Sequence, residues 1–139
     1  MSAPNTTVPA ALKPGTIEHR VDAGDCVHRG GYDVLATPSV VRLLEEAAMI
    51  AIEPLLASGQ SSVGSTVDIV HVRPTLRGQL VTATATVVEV DRRRVATRIE
   101  VFDDVERIAH GRHERFVVDE DDFGARLAQK AGHATAAGE

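Results

Sequence analysis

The chain has 139 residues, enough for one domain with a real core, and 43% of them are hydrophobic. A net charge of −5 argues against a nucleic-acid partner, because phosphate contacts need a concentrated basic face. The single cysteine, Cys26, excludes an intrachain disulfide and a cysteine metal cluster.

In chain order, residues 1–14 are rich in Ala, Pro and Thr with little periodicity, and are expected to form a flexible lead-in. Residues 16–21 alternate as a strand should. A loop from Asp22 to Ala36 follows, carrying Gly24, Gly30 and Gly31 and one aromatic residue, Tyr32. Thr37 is then placed to cap a helix, with Pro38 at its first position, and an apolar helix is expected from about 38 to 57. Four β-branched stretches come next, at about 63–73, 79–90, 94–102 and 107–118, joined by turns at 74–78, 91–93 and 103–104. A short helix is expected around 122–130, and residues 131–139 read as a flexible Ala/Gly-rich tail. No apolar stretch approaches the roughly 18 residues of a membrane span. The polar, Pro-bearing N-terminus lacks a signal-peptide core, so the expected compartment is the cytoplasm.

One long apolar helix followed by a run of long strands is an α+β pattern. Aromatics make up only 3%, so the core must be built from Val, Ala, Leu and Ile. A helix this apolar must be wrapped on several sides. An antiparallel sheet curled around a central helix, the hotdog fold, would do that over a single domain at residues 15–130.

Within the helix, Ser39, Arg42, Glu46 and Glu53 share one narrow stripe at ~100° per residue, the expected solvent face. Glu45 lies roughly 90° from it, among Val41, Met49 and Ile52. A carboxylate there is costly unless a partner or a task holds it. His71 shares a strand face with Val67, Ile69 and Arg73, while Thr66, Asp68, Val70 and Val72 point the other way. Taken singly, Thr37 is a helix cap, Glu45 a buried ion-pair member and His71 a structural residue. Together they suit acid–base or nucleophilic work on an acyl group, beside a helix N-terminus whose N–H donors suit a carbonyl oxygen gaining charge. Arg92, Arg93 and Arg94 form the only basic run, and Arg93 is a candidate contact for phosphate. Tyr32 is a candidate substrate contact. His110 and His113 lack an acid/His spacing that would support a metal site.

Val34-Leu35-Ala36-Thr37-Pro38, Glu45-Glu46-Ala47-Ala48, Val63-Gly64-Ser65-Thr66 leading to His71, and Gly111-Arg112-His113-Glu114-Arg115 together resemble the fluoroacetyl-CoA thioesterase-like family, from about residue 34 to 123–130. The resemblance implies a hotdog-fold acyl-CoA thioesterase without a cofactor or metal, in which Thr37, Glu45 and His71 form the catalytic set and Gly64 offers its backbone N–H near the thioester. It also implies a site at the interface of a homodimer. Glu45 would attack the carbonyl or activate water, and His71 would move protons. Members selective for fluoroacetyl-CoA carry a longer loop with phenylalanines over the acyl group, and residues 22–36 are shorter. Two other readings stay open: a non-catalytic acyl-thioester-binding hotdog protein, and an enoyl-thioester hydratase or dehydratase. The latter typically pairs an Asp and a His close in sequence, a pair this helix lacks.

Overall fold

The computed structural model describes residues 8–138, with side chains described as far as Ala134. Its sheet is built from β1 (Gly15–Arg20), β4 (Gln60–His71), β5 (Leu80–Asp91), β6 (Arg94–Phe102) and β7 (Arg107–Asp119). They lie in the order β1-β5-β6-β7-β4, antiparallel throughout. The sheet therefore has two edges, β1 and β4. Its inner face wraps the helix α1 (Thr37–Ile52), as the α+β, hotdog expectation has it.

Packing follows from small side chains. Alternate residues of β5 (Val81, Ala83, Ala85, Val87) face Leu43, Leu44, Ala47, Ala48, Ala51 and Ile52 of α1, all of them buried. Alanines on both sides let strand and helix approach closely. β1 shows how closely: a Cβ on Gly15 would sit 2.1 Å from the Ala47 carbonyl oxygen. Burying each larger aliphatic side chain contributes roughly 1.5–3 kcal/mol, which is how a core with so few aromatics is held.

Three elements differ from expectation. Thr37 is the first residue of α1 rather than its cap; Ala36 is the N-cap and provides no side-chain cap, and Pro38 stands one place further in, still within the first turn. The helix ends at Ile52 because Pro54 cannot donate to the ladder, and Glu53–Leu55 form a single 3₁₀ turn instead. The loop over 22–36 is ordered: a 3₁₀ turn, Ala23–Asp25, leads into a hairpin of β2 (Cys26–Arg29) and β3 (Tyr32–Leu35). Gly30 and Gly31 make its two-residue turn with φ of 57° and 85°, the left-handed conformations such a turn demands.

The hairpin is strapped to the 74–78 turn. Val34 bridges to Leu76, Arg77 N donates to the Asp33 carbonyl, and Leu35 N donates to the carbonyl of the buried Thr75. The C-terminal helix α2 (Glu120–Gly138) runs beyond the expected 122–130. Its acidic first turn suits the positive end of the helix dipole, and its Ala-rich end has high helix propensity. Residues 1–7 of the expected lead-in, and Glu139, lie outside the described residues.

Candidate active site

Two groups of polar side chains gather along α1, one at its N-terminal end and one at its middle. At the N-terminal end, Thr37 Oγ1 lies 2.9 Å from His71 Nδ1. The helix start is held there by Asp25, which is 4% exposed. Its Oδ1 accepts from Arg42 Nη2 at 2.9 Å, its Oδ2 meets His19 Nε2 at 2.6 Å and Asp22 N at 2.9 Å, and its carbonyl oxygen accepts from Ser39 Oγ and Ala36 N. Burial pushes the Asp25 carboxyl up, but these hydrogen bonds and the charges of His19 and Arg42 outweigh it and hold the pKa below the ordinary value. On the expected solvent stripe of α1, Ser39 and the exposed Arg42 thus also reach the 22–25 turn.

His19, Asp22 and Asp25 are, among the described residues, close enough in space to suggest a cation site. Their contacts say otherwise: Asp22 Oδ1 accepts from Gly24 N, and the Arg42 guanidinium already supplies the positive charge. The cluster is a clamp on α1. Sequence reasoning passed over Asp25, although Asp22 and Asp25 stand three apart and form a capping box around the 3₁₀ turn.

His71 is half-buried, and burial lowers its pKa, so the ring is neutral at pH 7. The Thr37 hydroxyl meets Nδ1, while Nε2 is buried and meets no hydrogen-bond partner among the described residues. A recess of about 250 Å³ opens beside it, lined by Val34, Leu35, Val72, Arg73 and Pro74. Tyr32 is not part of that lining; it stands at the hairpin tip, 63% exposed.

At the middle of α1, Glu45 Oε2 accepts from Arg115 Nη1 at 3.1 Å. The Glu45 side chain is 39% exposed while that of Arg115 is 4% exposed, so the acid is less buried than its position on the helix suggests, and Met49 one turn on is 48% exposed. Arg115 Nε and Nη2 donate to the hydroxyl and carbonyl oxygens of Ser62. Gly64 faces this pair. A Cβ there would lie 2.8 Å from Glu45 Oε2 and 3.3 Å from Arg115 Nη1, so the glycine leaves room beside the carboxylate.

Gly64 and His71 are seven residues apart, and strict alternation would put them on opposite faces of β4. A bulge removes the conflict. Gly64 pairs with Arg115 and Thr66 with Glu114, leaving Ser65 as an extra residue whose hydroxyl donates to the Glu114 carbonyl. Beyond it Val67, Ile69 and His71 return to the helix side, opposite His113, Gly111 and Ala109.

Arg93 lies elsewhere, in the β5–β6 turn. Its Nη2 donates to Asp119 at 2.9 Å, and it lines a groove of about 570 Å³ with Phe116, Phe123 and Arg126. The groove holds Asp119 and Asp122 as well, so its charge is balanced rather than basic.

The model of the fluoroacetyl-CoA-specific thioesterase family matches residues 18–121. The fluoroacetyl-CoA thioesterase of Streptantibioticus cattleyicolor is 37% identical over 98 residues, 70% of each chain. A solved structure of a fluoroacetyl-CoA thioesterase superposes with a TM-score of 0.79 at 29% identity, covering 89% of this chain and 98% of that one. A variant of such an enzyme in complex with fluoroacetate and CoA gives 0.76 at 31%, covering 83% and 97%. A thioesterase-superfamily protein of Thermus thermophilus, at 24% identity, shares the fold with a TM-score of 0.83, covering 89% and 94%. Coverage of most of the chain by the family model, together with the 37% identical relative, makes this protein a member of the fluoroacetyl-CoA-specific thioesterase family.

Proposed function

We propose that this chain is an acyl-CoA thioesterase in which Thr37 and His71 form the proton-transfer pair and Glu45 serves from the other side of the reacting carbonyl. The observation that carries the reading is the 2.9 Å contact of Thr37 Oγ1 with the neutral, half-buried imidazole of His71. A hydroxyl on a neutral base is the arrangement that makes a weak nucleophile competent. His71 takes the proton as oxygen adds to the thioester carbonyl, and returns it to sulfur as the CoA thiol leaves. Water then releases the acid. The helix start supplies few free donors for the oxyanion, since Pro38 has no N–H and the N–H groups of Ser39 and Val40 donate to Ala36. The backbone N–H of Gly64 is therefore the preferred donor. A second reading, in which Glu45 itself activates water, draws support from the open space that Gly64 leaves beside its carboxylate.

Thr37 and Glu45 stand eight residues apart on one helix, about 12 Å along its axis. One carbonyl cannot touch both within a protomer. A homodimer resolves this, with Thr37 and His71 of one copy meeting Glu45 and Gly64 of the other. The unpaired edge of β4 and the exposed Met49 and Ile50 on α1 are the surfaces a second copy would cover. The substrate is a CoA thioester rather than a membrane lipid, and the cytoplasm is its proposed compartment. Tyr32 and Arg93 remain candidate contacts for the CoA moiety only if substrate binding moves them, because one stands at the hairpin tip and the other is paired with Asp119.

The deciding experiment is release of free thiol from a panel of acyl-CoAs by the wild type, Thr37→Ala and Glu45→Gln. A deeper fall of turnover with Thr37→Ala than with Glu45→Gln supports the first reading, and the reverse order supports the second. No turnover of any thioester by the wild type would leave a binding protein. A fully active monomer in light scattering at assay concentration would contradict the shared site.

A further inference from the structure

His113 is fully buried, takes no part in the chemistry above, and uses both ring nitrogens. Nδ1 lies 2.7 Å from the Thr66 carbonyl oxygen, which can only accept, so Nδ1 carries the hydrogen. Nε2 then presents a lone pair to Arg115 Nη1 at 3.2 Å, and a guanidinium can only donate. The ring is therefore neutral and of one tautomer. Its two contacts join the two features that shape the Glu45 half of the site. Thr66 closes the bulge that turns Gly64 inward, and Arg115 Nη1 holds Glu45 Oε2. The backbone of His113 is fixed in turn, since its carbonyl accepts from Thr97 Oγ1 at 2.8 Å.

We propose that His113 is a positioning residue whose neutral imidazole orients the Arg115 guanidinium toward Glu45 and ties that pair to the bulge carrying Gly64. The proposal rests on the reading of Glu45 and Gly64 given above. Arg115 Nη1 has two hydrogens; with one accepted by His113, the other is directed at the carboxylate. Protonating His113 would place a new N–H against a group that has only donors, and the hold would be lost. The groups that face His113 are Arg115 and Glu114 on β7, Glu45 on α1, the Thr66 carbonyl on β4 and Thr97 on β6. Burial and the Arg115 charge both resist protonation and outweigh the pull of the Thr66 carbonyl and the two acids, which holds the pKa below the ordinary value and favours the neutral form.

The test uses the full chain and begins with its own histidines. Nitrogen-15 NMR of the imidazoles should show His113 neutral and protonated on Nδ1 at pH 7; the opposite tautomer, or a cation, would overturn the proposal whatever the enzyme does. Substitutions then separate the two contacts. His113→Gln keeps an acceptor near the position of Nε2, whereas His113→Asn keeps a donor near Nδ1 and loses Arg115. Turnover of an acyl-CoA should stay within about threefold of wild type in His113→Gln. In His113→Asn and His113→Phe kcat should fall about tenfold or more with KM little changed, as expected for a small misplacement of a reacting group. If His113→Phe does not fold, the contrast of Gln with Asn carries the test, and an Asn variant as active as Gln would overturn it. The fall of kcat in acid should be steeper in wild type than in His113→Gln, because one protonation fewer disables the variant; equal steepness would also overturn it. Hydrolysis indifferent to both Thr37→Ala and Glu45→Gln would instead sink the reading of the site and leave the tautomer result standing.

Discussion

The two ends of the candidate site are built on opposite principles. Thr37 and His71 form a neutral pair in which one ring nitrogen has no protein partner. Glu45 belongs to a charged network in which Arg115 is bonded to Ser62, His113 and the carboxylate at once. A neutral pair suits proton movement, because no ion pair fixes its charge state. A charged network with its donors engaged suits holding a fixed geometry. The contrast supports the proposal that bonds are made at the helix start and that the helix middle orients the reacting groups.

The largest effect should come from the neutral pair. His71→Ala and Thr37→Ala are each expected to lower kcat on the order of 100-fold or more, the usual contribution of a positioned acid–base group. Thr37 does not cap α1, so its loss should leave stability within about 0.5 kcal/mol of wild type. A large drop in melting temperature with specific activity retained would reverse the assignment.

Gly64→Ala sharpens the other side. Its φ is not in the left-handed region, so the backbone tolerates alanine, but the new Cβ meets the Glu45 carboxylate. We expect a folded protein with kcat down about tenfold or more, since a displacement of about 1 Å can cost that much. Activity equal to wild type would show that the position of Glu45 is unimportant.

Acid should weaken the fold as well as the chemistry. His71 and His113 both have pKa values lowered from 6.5, chiefly by burial. The unfolded chain then binds protons that the folded chain refuses, so stability is full above about pH 6.5 and declines as pH falls below it. Asp25, lowered from 3.8, adds a further decline below that value. A melting temperature flat from pH 7 to 5 would contradict the neutral state of both imidazoles.

The smallest expected effect concerns the acyl group. Besides His71, the recess is walled by Val34, Leu35, Val72, Arg73 and Pro74, with no Phe, Tyr or Trp among its lining residues. Aliphatic walls separate groups differing by one small atom only weakly. The ratio of kcat/KM for fluoroacetyl-CoA over acetyl-CoA should lie within about tenfold, and a ratio far larger would show that discrimination needs no aromatic cover.

Much of the fold was legible because its signals are local. The β-branched runs of β5 and β6 and the apolar periodicity of α1 fall within a few residues of their observed bounds. The hairpin over 26–35 lies inside the glycine-bearing loop expected over 22–36, although a Gly-Gly pair between two short runs is also a turn signal. The contact between Thr37 and His71 spans 34 residues, and only the family resemblance set the two side by side. Asp25 and His113 act through partners 17 and 47 residues away, distances at which no periodicity speaks.

The bulge at Ser65 makes the site a matter of counting. Gly64 and Thr66 pair with neighbouring residues of β7, so Ser65 is left out of the ladder; drawing it into regular pairing would keep every named side chain present yet shift the phase of all that precedes it in β4. Val63 would turn toward the Glu45 carboxylate, Gly64 would turn away, and Ser62 would leave Arg115 without two of its acceptors. A chain that lost only this bulge could thus keep its core, its helix and its histidines while losing the register between its two halves. In relatives of this protein, a glycine with six residues between it and the strand histidine, as here with residues 65–70, needs such a bulge to complete the site, whereas one with five residues between needs none.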